Sequence, residues 1–174
     1  MISDRFNPAA FDVEGLVALL LYEHVNYVEC YPGVLAQLDQ LAAIGQRLVI
    51  VTNGDAQQQR MKLRHTRLDE IVSGSAISGE LGFKKPDARI YAVAREIADS
   101  DGNDWMVGDH IEADIAGARA AGFATAWVSH GRPWPKQWVP NLVESGTAAL
   151  LASINGAIQD AAKPQSTGRP LTRS

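Results

Sequence analysis

The chain alternates short, continuous apolar runs with longer segments in which apolar residues recur at helical spacing. The runs Leu48–Val51, Trp105–Val107 and Ala124–Val128 predict strands that are buried on both faces, and Ile71–Val72 is a candidate fourth strand. Buried strands that alternate with helices are typical of an α/β fold built on a parallel sheet. We therefore expect a doubly wound α/β domain.

Apolar stripes and capping residues locate the helices between these strands. One stripe runs from Val34 to Ala42 and another from Ile90 to Ala98, both at the spacing of an amphipathic helix. Asp55 followed by Gln58 has the spacing of a capping box, so a helix should begin directly after Thr52-Asn53-Gly54.

Two further helix boundaries follow from proline and glycine. Pro86 suits a first helical position, which makes Lys85 the predicted cap of the helix after it. The alanine-rich stretch Ile111–Ala121 stops at Gly122, the usual residue just past a helix end. The polar motifs described next therefore fall where a strand ends or a helix begins, which is the edge at which open parallel sheets bind ligands.

Thr52-Asn53-Gly54 joins a buried strand to a helix N-terminus. The free backbone N–H groups and the helix dipole at such a junction favour a bound anion, so these residues are candidates for phosphate binding. The alternative is a plain turn in which Asn53 and Gly54 supply only the backbone geometry.

Lys85 lies at the predicted start of the next helix, with Lys84 beside it and no acidic residue immediately before them. A cation at a helix N-terminus opposes the helix dipole, so Lys85 is better explained if it faces a bound anion. The alternative is a solvated lysine.

The segment Gly108-Asp109 through Asp114 ends a buried strand and opens a helix. Gly108 allows close backbone approach, and carboxylates at positions 109 and 114 could together hold a hard cation such as Mg²⁺. The alternative for Asp114 is an acidic residue that only stabilises a helix start.

Together and in this order, the three motifs resemble those of the haloacid dehalogenase superfamily of hydrolases. The resemblance covers about residues 31–128: Thr52-Asn53 is similar to the second family motif, Lys85-Pro86 to the third, and the segment 108–114 to the fourth. It implies a Rossmann-like core, an aspartyl-phosphate intermediate and Mg²⁺ as cofactor.

The same resemblance assigns a role to each candidate residue. Thr52, with Asn53 and Gly54, would bind the phosphoryl group, and Lys85 would stabilise its charge and the nucleophile. Asp109 would bind the metal, assisted by Asp114. Tyr31-Pro32-Gly33-Val34 is similar to the family's return from its cap domain, which makes residues 1–30, with a helix over Phe11–Val28, the remnant of a helical cap.

The family's first motif, a buried strand that ends in Asp-x-Asp-x-Thr, has no match in the sequence. In the nearest segment, Phe11–Leu16, Glu14 replaces the second aspartate and Leu16 the threonine, and Asn7–Ala10 cannot form the apolar strand. The nucleophilic aspartate and the central strand are therefore expected to be missing. A fragment, or a gene model with a late start, is our preferred interpretation.

Composition narrows the class of protein. The proportions of 46% hydrophobic and 21% charged residues suit one globular domain, here residues 31–162, and residues 163–174 have the composition of a disordered tail. A net charge of -4 with scattered basic residues gives no nucleic-acid-binding face. The lone Cys30, the lack of a leader at Met1 and the short apolar run Leu16–Leu21 favour a cytoplasmic protein without a membrane span.

The leading hypothesis is a Mg²⁺-dependent phosphatase of a small phosphorylated metabolite, inactive as this chain alone because the nucleophile is absent. A 2-haloacid dehalogenase-type hydrolase, which needs no Mg²⁺, is one alternative, and a non-catalytic phosphate-binding or interaction module is another. Without the central strand, we expect the chain to be marginally stable or to self-associate through exposed sheet edges. The sequence does not identify the substrate, because the cap that would select it is mostly absent.

Overall fold

A computed structural model of the protein describes Gly15 and residues 23–162. The described part begins with a short 3₁₀ turn, Glu23–Tyr27. The strands are β1 (Val49–Thr52), β2 (Gly74–Ile77), β3 (Trp105–Gly108), β4 (Ala124–Val128) and β5 (Leu142–Glu144). The α-helices are α1 (Val34–Ala43), α2 (Ala56–His65), α3 (Ser78–Leu81), α4 (Ala88–Ala98), α5 (Gly117–Ala120) and α6 (Thr147–Ala162). A second 3₁₀ turn spans Leu68–Glu70, and a π-helix spans Ile111–Ala116.

All pairings among the described strands are parallel, but they form two separate sheets. β1 pairs with β2, with Val49 opposite Gly74. β4 lies between β3 and β5, with Trp105 opposite Ala124 and Ala126 opposite Leu142. β1 and β3 share no ladder. The predicted α/β fold with parallel strands is confirmed.

Helices cover both faces of these strands. Leu41 of α1 and Leu150 of α6 pack in one apolar cluster with Val128 of β4, and Trp105 and Val107 contact that cluster. Ile90 of α4 packs in a second cluster that joins Ala76 of β2 to Met106 of β3. Successive residues of β3 thus point to opposite helical layers, as expected for a strand buried on both faces.

Most of the predicted elements agree with the structure within a residue or two. The strands predicted at Leu48–Val51, Trp105–Val107 and Ala124–Val128 correspond to β1, β3 and β4. Asp55 caps α2 as predicted, because its carboxylate accepts from the N–H of Gln58 at 2.9 Å. Gly122, with φ +81°, follows the end of α5.

Two local predictions were wrong. Ile71–Val72 is not a strand, because the apolar pair follows a 3₁₀ turn and the strand begins at Gly74. Lys85 does not cap a helix, since α4 begins at Ala88 with Asp87 as its N-cap.

The predicted helix over Ile111–Ala121 is present, as a π-helix over Ile111–Ala116 that continues as α5. The strand β5 was not predicted at all, because its three residues carry too short an apolar pattern to stand out. The predicted tail 163–174 and most of the predicted cap remnant, including the Asp12 segment, lie outside the described residues.

Candidate functional site

The residues Thr52-Asn53-Gly54 end β1, and each is held by a neighbouring element. The hydroxyl of Thr52 donates to Gln59 Oε1 at 3.2 Å. The N–H of Gly54 donates to Ser78 Oγ at 2.9 Å, which ties the start of α2 to α3. The turn is therefore fixed by side chains from both following helices.

Asn53 holds the backbone of Lys85 in a two-way clamp. Its Nδ2 donates to the Lys85 carbonyl at 3.0 Å, and its Oδ1 accepts from the Lys85 N–H at 2.8 Å. The cis peptide between Lys85 and Pro86 belongs to the same loop. These two hydrogen bonds place Lys85 at the end of β1, although 32 positions separate it from Asn53 in the sequence.

The ammonium of Lys85 bridges the ends of β1 and β3. Its Nζ donates to the Val51 carbonyl at 2.6 Å and to Asp114 Oδ1 at 2.7 Å. Only 10% of the Lys85 side chain and 9% of the Asp114 side chain are exposed, so this is a buried ion pair. Lys85 was predicted to lie at a helix N-terminus in neutral surroundings, but it precedes the helix and its buried neighbour is the carboxylate of Asp114.

The second oxygen of Asp114 is occupied by backbone donors. Oδ2 accepts from the N–H of His110 at 3.0 Å and from the N–H of Asp109 at 3.2 Å. Gly108 makes this possible, because a Cβ at that position would lie 2.4 Å from the Asp114 Cβ. Gly108 was predicted to let the backbone approach a ligand closely. In the structure, it lets the strand end approach the side chain of Asp114.

Tyr91 of α4 holds the π-helix through a hydrogen bond. Its hydroxyl is buried and donates to the carbonyl of Ala113. Burial, together with the negative charge of Asp114, raises the pKa of Tyr91 to about 12. Tyr91 thus remains a neutral donor at physiological pH and fixes the turn that carries Asp114.

Asp109 lies on the outer side of the same edge. Its carboxylate is 58% exposed and has Arg132 Nη2 and His130 Nε2 each at 3.8 Å. Its carbonyl, in contrast, accepts from Trp127 Nε1 and from Arg132 Nη2, both at 3.1 Å. The backbone of Asp109 is fixed while its carboxylate stays accessible.

A cavity of about 500 Å³ opens beside Asp109. The Arg132–Lys136 loop forms one wall, and Lys136 is tied to Glu112 of the π-helix at 2.6 Å. Trp134 of that loop packs edge-on against Trp127. The loop thus packs over the end of β4 and bounds the cavity next to the exposed carboxylate.

The two predicted metal ligands differ in their capacity to bind Mg²⁺. Asp109 presents an exposed carboxylate, and Mg²⁺ binds proteins through one or two carboxylates and keeps several waters. Both oxygens of Asp114 are already taken by protein donors. Among residues 23–162 no three acidic, histidine or cysteine side chains gather in one metal-binding group. The residues present fit a cation held by Asp109, with Asp114 orienting the backbone beneath it.

The structure brings the predicted candidates Thr52, Asn53, Lys85 and Asp114 to one edge, with Asp109 beside them. Sequence reasoning missed Trp127 and Arg132, whose donors hold the Asp109 carbonyl. No local motif marks these two residues. Their only signal was position, since Trp127 lies near the carboxyl end of β4 and Arg132 follows that strand.

The family description "Haloacid dehalogenase-like hydrolase" matches residues 9–128, which span all of the candidate residues. The chain belongs to this family. It is 37% identical over 116 residues to a phosphoserine phosphatase of Thermus thermophilus and 34% identical over 122 residues to a pyrimidine 5′-nucleotidase of Escherichia coli. These matches cover 64% and 68% of the chain but only 46% and 54% of the relatives. The chain thus spans about half the length of the curated relatives it matches.

Solved structures of the family share the fold. A phosphatase of this family from Thermococcus onnurineus superposes with a TM-score of 0.71 at 22% identity, covering 85% of this chain and 66% of that one. A 2-haloacid dehalogenase from Pseudomonas syringae superposes with a TM-score of 0.69 at 26% identity, covering 89% and 66%. In the described part of the chain, no helix is long and apolar enough to cross a membrane.

Proposed function

We propose that this chain forms the phosphate- and metal-binding part of a Mg²⁺-dependent phosphohydrolase that acts on a small phosphorylated metabolite. Its family membership and its phosphatase relatives support the class of reaction. The observation that carries the proposal is the position of Lys85. Its ammonium is held at the strand ends, beside Thr52-Asn53, with the exposed carboxylate of Asp109 close by.

The proposed chemistry requires an aspartate that lies outside residues 23–162. Its carboxylate attacks phosphorus, an O–P bond forms, and the ester P–O bond breaks as the alcohol leaves with a proton. Water then cleaves the acyl phosphate, which releases inorganic phosphate and restores the carboxylate. Mg²⁺ bound at Asp109 would neutralise negative charge on the phosphoryl oxygens.

The described residues have positioning and electrostatic tasks in this scheme. An ammonium has three N–H donors, and the contacts of Lys85 with Val51 and Asp114 use two of them, so one donor is left for an oxygen at the sheet edge. Thr52 can turn its hydroxyl from Gln59 to a phosphoryl oxygen. Because Lys85 is already held in place by Val51 and Asp114, its remaining donor can stabilise developing charge without rearranging during the reaction.

The experiment that tests the site itself is binding of inorganic phosphate to the 174-residue chain, followed by ³¹P NMR with and without Mg²⁺. We expect Mg²⁺ to tighten phosphate binding, Asp109→Asn to remove that enhancement, and Thr52→Val to weaken binding by about tenfold. Lys84→Met is the matched control, because Lys84 is exposed and makes no contact in the site. Phosphate binding that ignored Mg²⁺, or that responded only to Lys84→Met, would overturn the proposal.

Turnover tests which residue, if any, of this chain acts as the nucleophile. The 174-residue chain should not hydrolyse p-nitrophenyl phosphate in the presence of Mg²⁺, since no residue in 23–162 is placed as the nucleophile. Hydrolysis that survives Asp12→Asn would show that another group attacks phosphorus. Hydrolysis that is abolished by Asp12→Asn would assign that role to Asp12.

A 2-haloacid dehalogenase is the second candidate, favoured by the fold shared with the Pseudomonas syringae enzyme. The open carboxylate of Asp109 favours the metal-dependent branch instead. Release of chloride from 2-chloropropionate without Mg²⁺ would decide for the dehalogenase.

A further inference from the structure

The hydroxyl of Thr52 differs from its neighbours in the turn after β1, because its hydrogen-bond partner can change. The side chain of Asn53 and the N–H of Gly54 are both taken by residues of later elements. Thr52 donates instead to Oε1 of Gln59 at 3.2 Å, while the next acceptor, the Asn53 carbonyl, is 3.5 Å away. Gln59 therefore sets the direction of the Thr52 hydroxyl in the structure.

The amide of Gln59, a half-buried residue of α2, is held between Thr52 and Gly54. Its Oε1 accepts the Thr52 hydroxyl, and its Nε2 lies over the glycine. A Cβ at position 54 would lie 2.6 Å from Nε2 and 3.2 Å from Cδ of the glutamine. Any larger residue at position 54 would thus push the amide away from Thr52.

A phosphoryl oxygen that binds Thr52 must compete with Gln59. The Thr52 hydroxyl has a single proton, so it cannot donate to Gln59 and to phosphate at once. If the proton turned to phosphate and the amide stayed in place, Oε1 and the hydroxyl oxygen would face each other as two acceptors. The amide must therefore change its orientation when the hydroxyl turns.

A half-turn of the amide resolves this conflict. The last torsion of a glutamine is broad and roughly twofold, so exchanging Oε1 and Nε2 is easy. Nε2 then donates to the oxygen of Thr52, and the hydroxyl of Thr52 donates to the phosphoryl oxygen. Hydrogen bonds arranged in such a chain polarise one another, so the bond to phosphate is strengthened.

We propose that Gln59 is a positioning residue for phosphate binding, which turns its side-chain amide to direct the Thr52 hydroxyl at a phosphoryl oxygen. Gln59 acts through Thr52 and makes no contact with the phosphate itself. The inference rests on the proposed function, since Thr52 binds the phosphoryl group only there. It adds a residue that lies outside the three sequence motifs.

A double-mutant cycle on the 174-residue chain tests whether Gln59 acts through Thr52. Inorganic phosphate is titrated by calorimetry, with Mg²⁺ present, into wild type, Thr52→Val, Gln59→Met and the double variant. Gln59→Met should weaken binding by about three- to tenfold, the scale of one hydrogen bond. In the Thr52→Val background the same change should have less than about a twofold effect, because no hydroxyl remains to be directed. Equal effects in both backgrounds would overturn the proposal.

The variant Gln59→Glu tests the need for a donor at this position. Glutamate has nearly the same size, but its carboxylate can only accept, so it should hold the Thr52 hydroxyl and repel the anion. We expect phosphate binding to be weaker by more than about tenfold. Gln57→Glu is the matched control, because it adds the same charge to an exposed position of α2 and should change binding by less than about twofold. Equal losses in both variants would overturn the proposal, since charge alone would explain them.

NMR of the wild-type chain follows the amide without any substitution in the protein under study. The side-chain N–H signals of Gln59, assigned by their disappearance in Gln59→Met, should shift at saturating phosphate because Nε2 gains an acceptor. The same signals should not shift in Thr52→Val. Signals that ignore phosphate in the wild-type chain would overturn the proposal, since the glutamine would then only support the turn.

This proposal and the proposed function fail in different ways. If Thr52→Val weakens phosphate binding and the changes at Gln59 do not, the role of Gln59 is wrong and the phosphate site stands. If the wild-type chain binds no phosphate, both proposals are wrong.

Discussion

Asp114 and Asp109 stand five positions apart at the same edge of the sheet, yet their surroundings are opposite. Asp114 is 9% exposed and uses both oxygens, one on Lys85 and the other on two backbone N–H groups. Asp109 is 58% exposed, and the two cationic side chains nearest to it are 3.8 Å away. The sequence predicts both carboxylates as metal ligands. In the structure, Asp114 is a buried structural group and Asp109 is an accessible one.

This contrast assigns different roles to the two carboxylates. The inner pair, Lys85 with Asp114, joins the ends of β1 and β3, so its loss should lower the free energy of unfolding. The outer carboxylate of Asp109 is exposed, so we expect it to contribute little to the stability of the fold, and we propose it as the cation ligand. Trp127 and Arg132 hold the backbone carbonyl of Asp109, so the position of its Cα is fixed although its carboxylate is exposed.

The largest expected effect tests this division directly. Asp114→Ala should destabilise the protein by about 3–5 kcal/mol, because it leaves the buried ammonium of Lys85 without its partner. Asp109→Ala should change stability by no more than about 0.5 kcal/mol. Urea unfolding of both variants measures the difference.

A double variant sharpens the same test. Adding Lys85→Met to Asp114→Ala should recover much of the lost stability, because no unpaired charge then remains buried. Similar losses for Asp114→Ala and Asp109→Ala would erase the distinction between the inner and the outer carboxylate.

A smaller effect is expected from crowding the inner pair. Gly108→Ala places a Cβ 2.4 Å from the Asp114 Cβ, so either the strand end or the π-helix must shift. The cost should be about 1–3 kcal/mol, which thermal unfolding can measure. Gly156→Ala is the matched control, since nothing lies within 4 Å of a Cβ there.

The control, Gly156→Ala, should raise the stability rather than lower it. Gly156 lies inside α6 and is exposed, so alanine should stabilise the helix by about 0.5–1 kcal/mol. If Gly108→Ala were also neutral or stabilising, Asp114 would not be packed against the strand end as described.

The third effect concerns the support beneath Asp114. Tyr91→Phe should cost about 1 kcal/mol near neutral pH, because the Ala113 carbonyl loses its donor. The folded protein raises the pKa of Tyr91 to about 12 from an unfolded value near 10, so folding favours the neutral phenol. The stability from this preference is complete below pH 10 and is lost as pH rises from about 10 to about 12.

The pH dependence of urea midpoints checks the sign of that linkage. The wild-type midpoint should fall more steeply between pH 10 and 12 than that of Tyr91→Phe, which has no phenol to ionise there. Tyr31→Phe serves as the control, because Tyr31 is 65% exposed and should leave the slope unchanged. Parallel slopes for wild type and Tyr91→Phe would contradict the burial argument.

The order of the motifs along the chain was enough to predict the α/β fold and the edge that carries the candidate residues. Continuous apolar runs identify β1, β3 and β4 because each is buried on both faces. The three residues of β5 lack that signal, and Ile71–Val72 imitates it within a turn. Short apolar runs therefore led to one missed strand and to one strand that does not exist. Tertiary contacts rather than the local pattern decide whether such runs pair.

Residue spacing could not reveal how the two carboxylates differ. Gly108, Asp109 and Asp114 predict a cluster at a strand end, but the partner of Asp114 lies 29 positions earlier, at Lys85. That contact depends on the Asn53 clamp, which orients the Lys85 loop through backbone geometry rather than through helix capping. The long-range pair was invisible because neither residue type nor spacing encodes which side of an edge a side chain takes.

The smallest expected effect tests the outer side of the comparison. Mg²⁺ that binds Asp109 must compete with the guanidinium of Arg132 at 3.8 Å, and exposed pairs of this kind are worth about 0.2–1 kcal/mol. Arg132→Met should therefore tighten Mg²⁺ binding by about two- to fivefold, measured by calorimetry at low ionic strength. Lys136→Met is the matched control, because Lys136 lines the same cavity but pairs with Glu112. Weaker Mg²⁺ binding in Arg132→Met would show that the hydrogen bond from Arg132 to the Asp109 carbonyl matters more than the competing charge, and the outer carboxylate would then depend on its support as much as the inner one does.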